Sequence, residues 1–67
     1  MYLTLKTEMA RKKITGKEIA EKTGKNEGVI SRKINGYTSF SVEEAILIRD
    51  LFFPELSVED IFRKESN

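Results

Sequence analysis

Residues 16–36, GKEIAEKTGKNEGVISRKING, place several anion-binding and hydrogen-bonding side chains at helical spacing. Lys17 and Lys25 carry ammonium groups, which pair with phosphate oxygens. Arg32 carries a forked guanidinium, which can donate two hydrogen bonds to the edge of a guanine base. Phosphate-binding and base-reading groups in one short stretch favour contact with a nucleic acid, provided that helices hold them on one surface.

Catalytic chemistry has few candidates in this chain. Its 67 residues include no histidine and no cysteine, which removes the commonest general base, the commonest metal ligand and any thiolate site. No glycine-rich phosphate loop or converging pair of carboxylates is evident, and the acids fall mainly at helix starts, where capping explains them. We therefore expect no enzyme activity, no metal and no cofactor.

The net charge of +1 conceals a division between the two halves of the chain. Residues 1–36 contain nine Lys/Arg and four Glu, a net charge of +5, whereas residues 37–67 contain three Lys/Arg and seven Asp/Glu, a net charge of −4. The first half suits a polyanion and the second would be repelled by one. Two ordinary solvated surfaces that differ in composition would give the same net charges. The charge division supports binding of a polyanion mainly because the basic half contains residues 16–36.

Helical signals run along the whole chain, and no segment alternates with the period of two that indicates a strand. Capping motifs at Thr15–Glu18, Ser41–Glu44 and Ser57–Asp60 mark three helix starts. We predict one all-α domain over residues 1–67, with helices at about 4–13, 16–23, 27–35, 42–53 and 58–64. No apolar run approaches the roughly 20 residues of a membrane span, and the N-terminus lacks a signal-peptide pattern. A cytoplasmic location without membrane contact is expected.

Helices 2 and 3 have the sequence features of a helix-turn-helix. Ala20 is small enough for helix 3 to cross helix 2 closely, and Gly24 suits a left-handed helix end. The turn of three residues, 24–26, has the length found between helices that meet at a steep angle. Ile30 and Ile34 fall on the core side of helix 3. An ordinary helical hairpin would share single features, but their joint spacing favours the DNA-binding motif, whose second helix enters the major groove.

The segment ITGKEIAEKTGKNEGVISRKINGYTSFSVEEAILIRDLF, followed by LSVEDIF, resembles the phage repressor and Cro family, also called the xenobiotic-response-element family. The matching positions are Ala20, Gly24, Ile30, Asn35-Gly36 and Ile61-Phe62. The resemblance implies a compact five-helix bundle of the lambda-repressor-like type. It also implies a phage or prophage transcriptional regulator, a repressor or genetic switch, that binds a two-fold operator in double-stranded DNA as a homodimer.

The chain departs from the family pattern at two places. Many members pair an Arg in helix 1 with a Glu in helix 3, but Met9 and Ile34 stand there, so we expect an apolar contact instead. Glu27 and Gly28 replace the Gln or Ser that is frequent early in helix 3, and Gly28 has no side chain to read a base. Glu27 can accept a hydrogen bond from cytosine or can be a helix-start acid favoured by the macrodipole.

The candidate DNA contacts divide into base-reading and phosphate-binding groups. The base-reading candidates lie along helix 3 and its cap: Arg32, Ser31, Glu27, Gly28 and Asn26. The phosphate-binding candidates are basic, amide or hydroxyl side chains on helix 2, the turn, the end of helix 3 and the following loop: Lys17, Lys25, Lys33, Asn35, Tyr37 and Thr38. Any one lysine alone is better explained as a solvated surface charge. As a set, on segments that the motif places near DNA, they favour phosphate contact.

Helix 4 is expected to contribute the dimer surface. Its apolar positions recur at helical spacing and should face the core: Ala45, Ile48, Leu51 and Phe52. This arrangement leaves Phe53 outside, as the candidate dimer patch on the face away from DNA. The alternative is that Phe53 folds back under residues 54–56.

A second function is compatible with the same fold. An antirepressor-type module would keep the helix pair but bind another phage regulator protein. Glu27 and Gly28 on the outer face, the near-neutral total charge and the acidic second half favour this alternative.

Overall fold

Residues 2–63 are described by the computed structural model, and their regular structure is entirely helical. The helices are α1 (Leu3–Lys12), α2 (Gly16–Thr23), α3 (Glu27–Ile34), α4 (Val42–Phe52) and α5 (Val58–Ile61). The all-α prediction is confirmed, and most predicted boundaries hold within one residue. Helix α5 is shorter than expected, and residue 64, its predicted end, lies outside the described residues. Within residues 2–63, none of the helices combines the length and the apolar character needed to cross a membrane.

Side-chain caps begin four of these helices. The hydroxyl oxygens of Thr15, Ser41 and Ser57 each accept a 3.1 Å hydrogen bond from the backbone amide three residues later. At Ser41 the Glu44 carboxylate in turn accepts from the Ser41 amide at 2.9 Å, which completes a capping box. The Asn26 side chain accepts from the first amides of α3. Each cap satisfies donors that the first turn leaves open and stabilises its helix by about 1 kcal/mol.

Three helices are closed by a following residue in the left-handed conformation. Gly24 and Gly36 have φ values of 72° and 86°, and Lys13 has a φ of 58°. After α1, the Lys13 amide donates to Ala10 and the Ile14 amide donates to Met9, so α1 closes without a glycine. Because a side chain strains the left-handed region, Lys13 is the costly one of the three.

The core is formed by apolar side chains from every helix. The buried residues are Tyr2, Leu5, Met9, Ile19, Ala20, Ile30, Ile34, Ala45, Ile48, Phe53 and Ile61. Met9 and Ile34 belong to the same buried cluster, as expected for an apolar pair at these two positions. The core thus fastens α2 and α3 to α1, α4 and α5, and fixes which face of α3 remains outside.

Phe53 contradicts the expected dimer patch. Its side chain is fully buried, as the alternative of a folded-back Phe53 requires. The reason is that α4 ends at Phe52, one residue earlier than predicted, before a proline that cannot continue the helix. Phe53 then leaves the helical conformation, with φ −135° and ψ 52°, and its ring enters the core. Phe52 is half-buried and Leu51 is exposed, so Leu51 does not take its predicted core position.

An aromatic cluster of Tyr2, Phe40 and Phe62 joins the two ends of the chain to the loop after α3. The ring centroids lie 5.1–6.0 Å apart with edge-to-face geometry, an arrangement that aromatic quadrupoles favour. The Tyr2 hydroxyl also accepts a 3.2 Å hydrogen bond from the Phe40 amide. These contacts hold the end of the loop that carries Tyr37 and Thr38.

Candidate nucleic-acid interface

The turn between helices α2 and α3 has the length that the sequence predicts. The turn between them, residues 24–26, is closed by a 2.9 Å hydrogen bond from the Lys25 amide to the Ala20 carbonyl, and Gly24 supplies the left-handed residue. Ala20 is only 4% exposed, which shows that the small side chain is packed inside. Ile30 and Ile34 are buried on the inner side of α3. Sequence spacing therefore predicted both the turn and the inward face.

The outer face of α3 lies open to solvent. Its exposed residues include five of the candidate DNA contacts: Glu27, Gly28, Ser31, Arg32 and Asn35. Val29 is also exposed, at 43%. The core explains this division, because the buried isoleucines on the opposite side fix the rotation of the helix. The face therefore presents one cation, one acid and several small polar groups.

Gly28 and Asn26 act together at the start of α3. The Asn26 side-chain oxygen accepts from the Gly28 amide at 2.7 Å and from the Val29 amide at 3.3 Å. A Cβ added to Gly28 would lie 3.0 Å from that oxygen, which is tighter than ordinary contact. Gly28 thus has a structural role that the sequence did not reveal, and Asn26, predicted as a cap and as a base contact, uses its oxygen in the cap.

Arg32 is exposed and lies beside an aromatic ring. Its guanidinium carbon is 5.5 Å from the centroid of the Tyr37 ring, within the range of a cation–π contact. Tyr37 is 74% exposed. This pairing was not predicted.

Lys33 is committed to an internal ion pair. Its ammonium group donates to both carboxylate oxygens of Glu44, at 2.7 and 2.6 Å, and the two side chains are 17% and 13% exposed. Lys25 approaches the same carboxylate, with its nitrogen 3.7 Å away. Both lysines were predicted to bind phosphate. That prediction now requires Glu44 to release Lys33 and to share Lys25 with the phosphate.

The surroundings of Glu44 favour its ionised form. Partial burial raises the pKa of this carboxyl, but the hydrogen bonds from Lys33 and from the Ser41 amide lower the pKa by more. The net pKa is below its ordinary value. Glu44 therefore remains charged near neutral pH and keeps its hold on Lys33.

Asn35 is also engaged within the chain. Its amide nitrogen donates to the Ser31 carbonyl at 2.9 Å, and its oxygen accepts from the Lys6 ammonium at 3.1 Å. Lys6 belongs to α1 and was not among the predicted contacts. The structure places Lys6 at the end of α3, where its cation adds to the charge of the outer face. Lys17 and Thr38 are exposed at their predicted places.

The helix pair therefore carries exposed Arg32 on α3 and exposed Lys17 on α2. The outer face of α3 adds its polar groups, and Lys33 and Lys25 lie near Glu44, which partly neutralises them. Such a surface can bind phosphate and donate hydrogen bonds to base edges. Comparisons with protein-family models, with curated proteins and with solved structures find no match for this chain. Its function has to be inferred from the geometry of this face.

Proposed function

We propose that this chain is a sequence-specific double-stranded DNA-binding regulator of the repressor and Cro type, and that helices α2 and α3 form its helix-turn-helix. The observation that carries the proposal is the open outer face of α3, with Arg32 exposed at its last turn and the opposite face buried. A helix held in this way can enter the major groove while its core face stays packed. Lys17, exposed in the first turn of α2, lies where helix amides and the dipole also favour a phosphate.

The regulator acts as a dimer on a two-fold operator, with half-sites about one helical turn apart. One copy has eight residues in α3, which can read only a few base pairs. A second copy would double the site and supply the discrimination that a regulator needs among many competing sites. Because Phe53 is buried, it is not part of the dimer surface.

Selection from a pool of random duplex DNA at two salt concentrations tests this function. A two-fold motif that persists at the higher salt is the expected result, because base contacts survive where pure phosphate attraction weakens. Arg32→Ala should then relax preference at one base position, at a cost of about 1–3 kcal/mol. Lys17→Ala should weaken all sequences alike. An Arg32→Ala variant that ranks operator variants as the wild type does would contradict the assignment of the α3 face.

A second candidate is a protein-interaction module of the antirepressor type. The observation that favours it is the ion pair between Lys33 and Glu44, with Lys25 nearby, because this network lowers the positive charge available for DNA. In that case the purified chain would enrich no DNA motif at any salt concentration. It would instead form a complex of fixed stoichiometry with a purified repressor from the same phage or prophage.

A further inference from the structure

The end of α3 is closed by a pair of hydrogen bonds that fixes the position of Tyr37. The Gly36 amide donates to the Lys33 carbonyl and the Tyr37 amide donates to the Arg32 carbonyl, each at 3.0 Å. With Gly36 at φ 86°, this is the Schellman motif. It folds the chain back so that the residue after the glycine lies over the last turn of the helix.

In such motifs the two residues brought together are frequently apolar and form a small hydrophobic contact. Here they are Arg32 and Tyr37, and the contact is a guanidinium on an aromatic ring, 5.5 Å from carbon to centroid. The same backbone bonds that end the recognition helix therefore place a flat ring beside its principal base-reading side chain. The ring is 74% exposed, so core packing does not explain it.

We infer that Tyr37 is a positioning residue for Arg32, and that its ring holds the guanidinium in an orientation suited to a base edge before DNA binds. This inference rests on the proposed DNA-binding function. An arginine side chain has many rotamers, and ordering them on binding costs affinity. A ring in cation–π contact with the guanidinium restricts those rotamers in the free protein. The Arg32 guanidinium then loses less conformational entropy when it binds the base.

This role differs from the predicted phosphate contact of Tyr37, which would use the hydroxyl group. A hydroxyl–phosphate bond fixes register and affects all sequences alike. A ring that orients Arg32 affects discrimination at the one base that Arg32 reads. Tyr37→Phe removes the hydroxyl and keeps the ring, whereas Tyr37→Leu removes both, so the two variants separate the roles. Because Tyr37 is exposed, both substitutions should be compatible with folding. Circular dichroism of the two variants is the control for this.

The first measurement uses the free protein. In the wild type and in Tyr37→Phe, the NMR signal of the Arg32 side-chain Nε–H group should be displaced by the ring current and should show restricted motion. In Tyr37→Leu the signal should move to the position of a free arginine and gain mobility. Equal shifts and equal mobility in the three proteins would overturn the cation–π contact on which the inference depends.

The second measurement uses the operator obtained by selection and its single-base variants. Tyr37→Leu should reduce discrimination at the position that Arg32→Ala flattens, by about two- to fivefold, the factor that an exposed cation–π pair supplies. Tyr37→Phe should keep that discrimination, and Tyr37→Leu should add no further loss in the Arg32→Ala background.

Uniform weakening across all variants, or loss in Tyr37→Phe equal to that in Tyr37→Leu, would assign Tyr37 to phosphate and overturn the inference. Failure of the selection to yield any operator is a different result, since it ends the proposed function and the base-reading role together. The NMR measurement would still decide whether the ring holds Arg32.

Discussion

Replacing Glu44 with glutamine should destabilise the fold and at the same time strengthen binding to DNA. The Glu44 carboxylate accepts two hydrogen bonds from Lys33, at 2.7 and 2.6 Å, and one from the Ser41 amide at 2.9 Å. Glutamine also completes capping boxes, so its amide oxygen keeps the bond to Ser41. The substitution therefore removes the charge that holds Lys33 without removing the helix cap.

The loss of stability follows from the burial of the pair. Hydrogen bonds to charged groups contribute about 1.5–3 kcal/mol, whereas exposed ion pairs contribute about 0–1 kcal/mol. The side chains of Lys33 and Glu44 are 17% and 13% exposed, so the energy of their ion pair should lie between these two ranges. In the variant, the glutamine oxygen can still accept one hydrogen bond from Lys33, which reduces the loss. We expect a loss of about 1 kcal/mol in the free energy of unfolding. In a domain of this size that lowers Tm by about 4–8 °C.

The gain in binding follows from the released ammonium group. Each phosphate that a cation neutralises steepens the plot of log binding constant against log salt concentration by about 0.9. Glu44→Gln should steepen this slope by about one unit for each copy bound. Because a phosphate contact carries no sequence information, the gain should apply to all duplexes alike.

Thermal unfolding and titration of duplex DNA at several salt concentrations measure the two effects. Glu43→Gln is the matched control, since it makes the same change in charge one residue away at an exposed position. The control should change stability by less than about 0.5 kcal/mol and leave the salt slope nearly unchanged. If Glu44→Gln binds no more tightly than Glu43→Gln, Glu44 does not compete with phosphate for Lys33, and the reasoning fails.

Three further predictions concern the fold. Lys13→Gly should raise the free energy of unfolding by about 0.5–1 kcal/mol in thermal melts, because glycine relieves the left-handed strain; a lower Tm would contradict this. Phe53→Ala should cost about 3–5 kcal/mol, enough to unfold much of so small a domain, and Phe52→Ala less; the reverse order would refute the burial of Phe53. Because the pKa values of Glu44 and Glu55 lie below their ordinary value of 4.5, the stability that these carboxylates contribute is present above about pH 4.5 and is lost as the pH falls through their folded-state values. Denaturant unfolding at a series of pH values should therefore show a fall below pH 4.5 that is smaller in Glu44→Gln.

Helix boundaries were predictable because their causes are local. The Ser41 hydroxyl and the acid three residues later cap the first turn of a helix by contacts within four residues, so they do not depend on the rest of the chain. The turn between α2 and α3 was predictable for the same reason, since Gly24 can adopt the left-handed conformation without strain. Lys13 escaped prediction because its conformation is imposed by the packing on either side of it and not by its own preference.

Side-chain pairs between helices were not predictable from spacing. Lys33 and Glu44 lie on different helices, and their contact depends on the angle between α3 and α4, which no short pattern encodes. The error at Phe53 has a similar origin. Helical spacing gives neighbouring residues directions 100° apart only while the helix continues, and here the helix ends before Phe53. One residue of uncertainty at a helix end thus decided whether a large ring was assigned to the core or to the surface.

The charge division of the sequence is also altered by the fold. Glu44, from the acidic half, lies against Lys33 and near Lys25 in the basic half, and Glu55 pairs with Lys12 of α1. Part of the charge that the basic half could offer to a polyanion is therefore neutralised within the chain. Arg32 of α3 and Lys17 of α2 remain exposed. Under the proposed function, the lysines held near Glu44 would contribute less phosphate attraction, and base contacts together with the orientation of Arg32 would contribute to affinity as well as to specificity.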